Sequence, residues 1–107
     1  GVGADVDAAA AGHCQVGVAP RTRFGFVKTP APQVDADEAT ALTWHLADVD
    51  VYVSMSGPTD NGVSFADAGP LAKAAFVEAT TNGRGGLGVP IVWAAGNGGD
   101  KGDSCEY

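Results

Sequence analysis

Apolar positions along this 107-residue chain fall into short blocks, each closed by glycine, proline or a polar turn. The block Ala8–Ala11 ends at Gly12, as an alanine-rich helical segment closed by a glycine should. Gln15–Ala19, closed by Pro20, and Phe24–Lys28 are short apolar runs that read as strands. Thr29-Pro30-Ala31-Pro32 breaks any regular structure and reads as a surface loop. Asp35–Leu46 then predicts a helix. Its first turn holds Asp35, Asp37 and Glu38, which suit the positive helix end, and Ala39, Leu42 and Leu46 recur at helical spacing. Val49–Ser54 is the next strand, and Ser56–Ala68 is a polar loop built around Gly57-Pro58 and Asn61-Gly62. Pro70 stands where a first helical position belongs, followed by a helix over Leu71–Thr80. Asn82–Gly88 is a glycine-rich turn, Val89–Ala95 the most apolar strand, and Gly96–Tyr107 a loop.

The resulting order is strand, strand, helix, strand, helix, strand. Strands that alternate with helices and read as continuous apolar runs predict an α/β fold: a parallel sheet with helices on both faces. Two full helices are too few to cover such a sheet. The expectation is therefore a partial domain, one organisational unit over residues 1–107 with the covering elements supplied by other sequence. The missing initiator Met agrees with that expectation, and Gly1-Val2-Gly3-Ala4 does not read as a secretion signal.

Charge narrows the partners. Six basic and 13 acidic residues give a net charge of −7, which repels phosphate backbones, so no nucleic-acid partner is expected. The same acidity would attract basic partners, and it also serves plain solubility. No apolar run approaches the length that spans a membrane, and whether an anchor follows is not legible in these residues. Cys14 and Cys105 lie near opposite ends. A disulfide, two free thiols or pairing outside the chain are all open, and neither cysteine has zinc-like spacing.

In open α/β sheets, ligands bind beyond the carboxyl ends of the strands. Two polar loops leave such ends, Ser54–Asn61 and Gly96–Asp103. If their strands are neighbours across one crossover helix, Asp60, Asn97, Asp100 and Asp103 come together, although Asn and Asp also serve ordinary turns. Gly83-Arg84-Gly85-Gly86-Leu87-Gly88 leads into a strand, whereas a phosphate cradle leads out of one, so a helix-to-strand turn explains it better. His13 and His45 have no partner at metal-ligand spacing. Ser54, Ser56, Ser64 and Ser104 lack a nucleophile-elbow context. The chain does not assemble a nucleophile, a base and an orienting acid.

Ile91-Val92-Trp93-Ala94-Ala95, followed by Gly96-Asn97-Gly98-Gly99 and Asp103-Ser104-Cys105, resembles the oxyanion-hole segment of kexin/furin-like proprotein convertases. These are a branch of the subtilisin-like serine proteases. Gly57-Pro58-Thr59-Asp60-Asn61-Gly62 resembles the family's substrate-strand and calcium loop. Gly83–Gly88 and Cys14-Gln15-Val16-Gly17-Val18-Ala19 also fit, so the resemblance covers nearly the whole chain and is weakest around Thr29–Gln33.

The resemblance implies a subtilisin-like α/β domain and a calcium-dependent endoprotease that cuts secretory-pathway precursors after paired basic residues. Asn97 would donate its side-chain amide to the oxyanion. Ala94, Ala95 and Gly96 would wall the pocket for a long basic side chain. Met55, Ser56, Gly57 and Pro58 would line the edge on which an extended substrate lies. Asp60 and Asp103 match two carboxylates that hold Ca2+, a hard cation suited to oxygen. The backbone carbonyls of Ala8, His13 and Gln15 match a second calcium loop. Asp35 and Glu38 match acidic subsites for basic residues upstream of the cut, with their helix-start role as the competing explanation. Cys14 and Cys105 match family cysteines whose partners lie downstream.

The chain departs from the family at Ser56, where Trp is usual, at Ala11, where a calcium-binding Asn is expected, and at Ala66, an acidic subsite position with Asp67 beside it. The catalytic His, Asp and Ser fall outside these residues, so the chain alone is expected to be inactive and not to fold stably. Two rival readings remain from the residues. One is a non-catalytic binding module on the same scaffold, which Ser56 and Ala11 favour. The other is an unrelated nucleotide-binding α/β domain.

Overall fold

The computed structural model describes residues 18–64 and 66–102. Helix α1 runs over Asp35–Thr43, strand β1 over Tyr52–Ser54, helix α2 over Pro70–Gly86 and strand β2 over Ile91–Trp93. A single 3-10 turn, Gly99–Lys101, follows. β1 and β2 form a parallel pair with Tyr52 opposite Ile91, Val53 opposite Val92 and Ser54 opposite Trp93. An α/β unit is therefore present, with α2 as the crossover between two parallel strands.

Local chemistry explains where the helices start. Asp37 accepts the backbone N–H of Val34 at 3.1 Å, which is one half of a capping box. Val34 cannot supply the other half, having no side-chain acceptor. Pro70 occupies the first position of α2, where its missing N–H costs nothing. Of the orphan N–H groups that follow, those of Leu71 and Ala72 are taken by the two carboxylate oxygens of Asp35, at 3.0 and 2.8 Å. The N-terminus of α2 is thus capped from α1, 36 residues earlier in the chain. Gly69 leaves the space for this: a Cβ there would lie 2.3 Å from the Asp35 carboxyl carbon.

The core is small and made mostly of small side chains. Leu42 of α1 is buried, together with Ala72, Ala75 and Ala79 of α2 and Val89 before β2. The alanines recur on one stripe of α2, which continues to the buried Gly83, and α1 packs against α2. Regular helical geometry breaks at Gly83, whose ψ is 155°. A Cβ at Gly83 would meet Val89 at 2.4 Å, so the strand that follows can approach this closely only against glycine. Gly88 is bound more tightly still. With φ at +77° and Thr80 O 2.2 Å from where a Cβ would lie, only glycine fits. α2 thus keeps regular geometry through Asn82, beyond the expected end at Thr80, and the glycine-rich turn that leads from helix into strand begins at Gly83.

Several expected elements are shorter or missing. α1 stops at Thr43 instead of Leu46, because Trp44 turns extended and His45 takes a positive φ of 51°. Leu46 is still half-buried, and its carbonyl accepts the N–H of Arg84 at 3.3 Å, so its apolar role is met by a turn. The expected strands over 49–54 and 89–95 shrink to their centres, where the ladder has a partner. Phe24–Lys28 forms no strand and pairs with nothing among the described residues, leaving Phe26 exposed. The expected strand over 15–19 and the helical segment over 8–11 lie wholly or mainly outside the described residues.

Helices on both faces were expected, but α1 and α2 meet the sheet on one side. Phe76 of α2 stacks near Trp93, with ring centroids 5.8 Å apart, and Tyr52 Oη donates to Trp44 O at 2.5 Å on that same side. The paired Val53 and Val92 point the other way and are exposed. Among the described residues the two helices pack on each other, and neither lies on the face of Val53 and Val92.

Candidate functional site

The carboxyl ends of β1 and β2 are where an open α/β sheet offers a site. The ladder fixes how the chain leaves them. Tyr52 N–H donates to Pro90 O, and Ala94 N–H to Ser54 O, both at 3.0 Å, so Tyr52 and Ser54 direct their backbone groups at β2. Beyond Ser54 the two chains separate, but the Trp93 indole N–H still reaches Ser56 O at 2.6 Å. Ser54 and Ser56 hydroxyls lie 3.0 Å apart on the same stretch.

The second loop folds back on the first through Asp60. Asn97 Nδ2 lies 3.5 Å from one Asp60 carboxylate oxygen, and Lys101 Nζ donates to the Asp60 carbonyl at 3.2 Å. Gly96, with φ at +86°, brings its backbone against the other carboxylate oxygen, only 2.9 Å from where a Cβ would stand. A side chain at Gly96 would push Asp60 out. Asn61 secures the first loop from behind, its Oδ1 accepting the N–H groups of Val63 and Ser64 at 3.0 and 2.7 Å.

These contacts enclose a cleft of about 220 Å³ lined by Met55, Ser56, Gly57, Pro58, Asp60, Ala94, Gly96 and Asn97. All eight were singled out from the sequence, and the crossover topology is what gathers them. Ala95 sits between two lining residues without lining the cleft. A comparable concavity at Thr40, Thr43, Trp44 and His45 is a shallow surface dish open to solvent.

The remaining predicted residues fall elsewhere. Asp35 has both carboxylate oxygens committed to the α2 N-terminus, so its helix-capping role is the one the geometry displays. Glu38 lies half-buried on α1. Asp67, next to the expected subsite position Ala66, pairs with Lys73 at 2.5 Å, and that hydrogen bond holds its carboxyl below the ordinary range. Ala8, His13, Gln15, Asp103 and both cysteines lie outside the described residues. Among the described residues no group of three His, Cys, Asp or Glu converges as a metal site. Asp60 alone supplies a carboxylate at the cleft, whereas calcium takes six to eight oxygens, so the described residues do not make a calcium site by themselves.

Sequence reasoning missed Trp93 and Phe76. The signal was an aromatic with a polar N–H inside an otherwise aliphatic strand, since a partly buried indole generally finds an acceptor.

The described residues thus form an α/β segment with a cleft at two adjacent parallel strand ends, lined by an asparagine, an aspartate and several small residues. Comparison with known proteins shows what the chain is similar to. The chain is 45% identical over 102 residues to endoprotease bli-4 of Caenorhabditis elegans, covering 92% of this chain and 11% of that protein. It is 42% identical over 96 residues to mouse furin, covering 89% and 12%. It is 39% identical over 95 residues to the dibasic-processing endoprotease of Yarrowia lipolytica, covering 88% and 10%. Across about nine-tenths of its length, then, the chain matches furin/kexin-like endoproteases. It spans about a tenth of the length of these curated relatives. No protein-family model matches it.

Proposed function

We propose that this chain is the central part of the catalytic domain of a subtilisin-like, calcium-dependent serine endopeptidase that cuts precursor polypeptides after paired basic residues in the secretory pathway. The observation that carries the reading is the cleft itself. Asn97 meets Asp60, 37 residues earlier, and lines one cleft together with Met55–Pro58, Ala94 and Gly96. The name of the Yarrowia relative, a dibasic-processing endoprotease, supplies the substrate class. A chain of net charge −7 suits a basic peptide and no nucleic acid.

In this mechanism a serine oxygen attacks the scissile carbonyl and its proton passes to a histidine, oriented by an aspartate. Those three groups come from the rest of the protein. The contribution of this segment is electrostatic and positional. Asn97 donates its amide N–H to the oxygen that becomes negative in the tetrahedral intermediate, and it does so without reorganising solvent. Its present contact with Asp60 is long, 3.5 Å, so the amide gives up little in turning to the substrate. Met55 to Pro58 carry the substrate backbone, and the absence of bulk at Ala94 and Gly96 leaves room for a long basic side chain. Calcium, when bound, supplies fixed positive charge and rigidity beside the pocket, with Asp60 and Asp103 as carboxylate donors. Glu38 reads basic residues upstream of the cut.

The test is Asn97→Ala in the full-length protein, assayed on a peptide ending in two arginines before the cut. kcat falls about a hundred- to a thousandfold, the range known for a subtilisin oxyanion asparagine, while KM changes little. A loss confined to KM would remove Asn97 from the oxyanion, and a wild-type protein with no hydrolysis would remove the reading altogether.

A further inference from the structure

Trp93 holds an unusual place in this arrangement, because its side chain does what the backbone ladder has stopped doing. In a strand, successive residues point their N–H and C=O groups to opposite edges. Tyr52 and Ser54 point theirs at β2, as their bonds to Pro90 and Ala94 show. By alternation Val53 and Met55 face the other edge, which has no strand beside it among the described residues. Continuing the pattern, Ser56 should face β2, but the β2 chain has turned away at Gly96 and no backbone group answers it. The Trp93 indole N–H answers instead, at 2.6 Å.

That bond fixes more than one carbonyl. The 56–57 peptide is trans, and in a trans peptide the C=O and the next N–H point in opposite directions. With Ser56 O drawn toward Trp93, the N–H of Gly57 points away from Trp93. Gly57 is exposed, has no hydrogen-bond partner among the described residues, and has open space around it. Trp93 is itself braced by Phe76 of α2.

Resting on the proteolytic reading above, we infer that Trp93 is a positioning residue. It extends the register of β1 past the end of the ladder and so aims the Gly57 N–H at the backbone of an extended peptide substrate. The residue touches no reacting atom. Its effect is on how many residues of a substrate the edge engages. A one-residue substrate that reaches only Met55 does not need it, and a four-residue substrate that runs on past Gly57 does.

The experiment compares the full-length wild-type protein with Trp93→Phe, which keeps a ring against Phe76 and loses the N–H. The substrates are acetyl-arginine and an acetylated four-residue peptide ending in two arginines, both as fluorogenic amides. The ratio of kcat/KM for the long over the short substrate falls about three- to tenfold, the worth of one hydrogen bond, and the loss is carried by KM. A ratio equal to that of the wild type, or parallel losses on both substrates, overturns the inference. Should Trp93→Phe lower the melting temperature, benzothienylalanine at the same position decides, since sulfur replaces the N–H and the shape is retained. Should the wild type hydrolyse neither substrate, the proteolytic reading fails. The inference is then judged separately from the Gly57 amide resonance on adding the unreactive four-residue peptide amide. A shift present in the wild type and lost in the variants supports it, and any other pattern overturns it.

Discussion

The contact between Asp35 and the start of α2 gives the sharpest stability test, because two residues far apart in sequence must act as one. Asp35 accepts two backbone N–H groups, from Leu71 and Ala72, and the space it needs exists only because residue 69 is glycine. Asp35→Ala returns the N–H of exposed Leu71 to water and leaves that of buried Ala72 without its acceptor, which costs about 1–2 kcal/mol on the capping scale. Gly69→Ala is compatible with the local backbone, since φ is −69°, so strain is not its problem. Its Cβ would stand 2.5 Å from each Asp35 oxygen and must expel the carboxylate. The two single substitutions should therefore cost similar amounts. In the double variant the second change finds nothing left to break. The pair should cost no more than Asp35→Ala alone, and about 0.4–1 kcal/mol less once alanine has stiffened the unfolded chain. Chemical denaturation of the full-length protein and the three variants, read at constant m-value, measures this directly. Additive losses would refute the reasoning, because they would mean that Gly69 and Asp35 contribute through separate contacts. The same variants weigh the cap against the substrate-subsite role: a cap predicts that Asp35→Ala lowers stability while selectivity for upstream basic residues persists.

Two further outcomes follow from the geometry. Tyr52→Phe loses the hydrogen bond to Trp44 O and should cost about 1 kcal/mol. Burial holds the Tyr52 phenol above its ordinary value, so the wild type keeps this contribution below about pH 10 and loses it as pH rises through the folded-state value. Tyr52→Phe should lack that alkaline step in a pH series of melting temperatures. For calcium, the proposed role of Asp60 predicts that millimolar calcium raises the melting temperature of the full-length protein and that Asp60→Asn removes most of the rise. An equal rise in both proteins would take Asp60 out of the site.

How much of this was legible beforehand depends on whether the deciding interaction is local. The start of α2 was, because Pro70 fixes its own φ. The turn into β2 was, because a run of glycines at 83, 85, 86 and 88 permits backbone shapes that nothing else does. The cleft residues were legible by resemblance and by the rule for parallel strand ends, and the crossover brought eight of them together. Phe24–Lys28 misled because its composition suits a strand while a strand needs a partner, and partners are a tertiary matter. Leu46 misled by falling in phase with Leu42, although a positive φ at His45 had already ended the helix. The dual use of Asp35 could not be read at all: the same first-turn acid serves its own helix, a neighbouring helix or a ligand, and only the approach of Gly69 selects among them.

The parallel pairing has a consequence for the order of assembly. The bonds that shape the cleft, Trp93 to Ser56 and Asn97 to Asp60, each join residues 37 apart, and Lys101 to Asp60 spans 41. Closing such loops is an entropic cost met before any contact repays it, whereas the turns of α1 and α2 form from near neighbours. During synthesis, Met55 to Asp60 would leave the ribosome before β2 exists, and would wait through the whole of α2 for it. The cleft is thus among the last parts of this segment to exist, and a growing chain cannot engage a substrate there until the helix that carries Phe76 has docked.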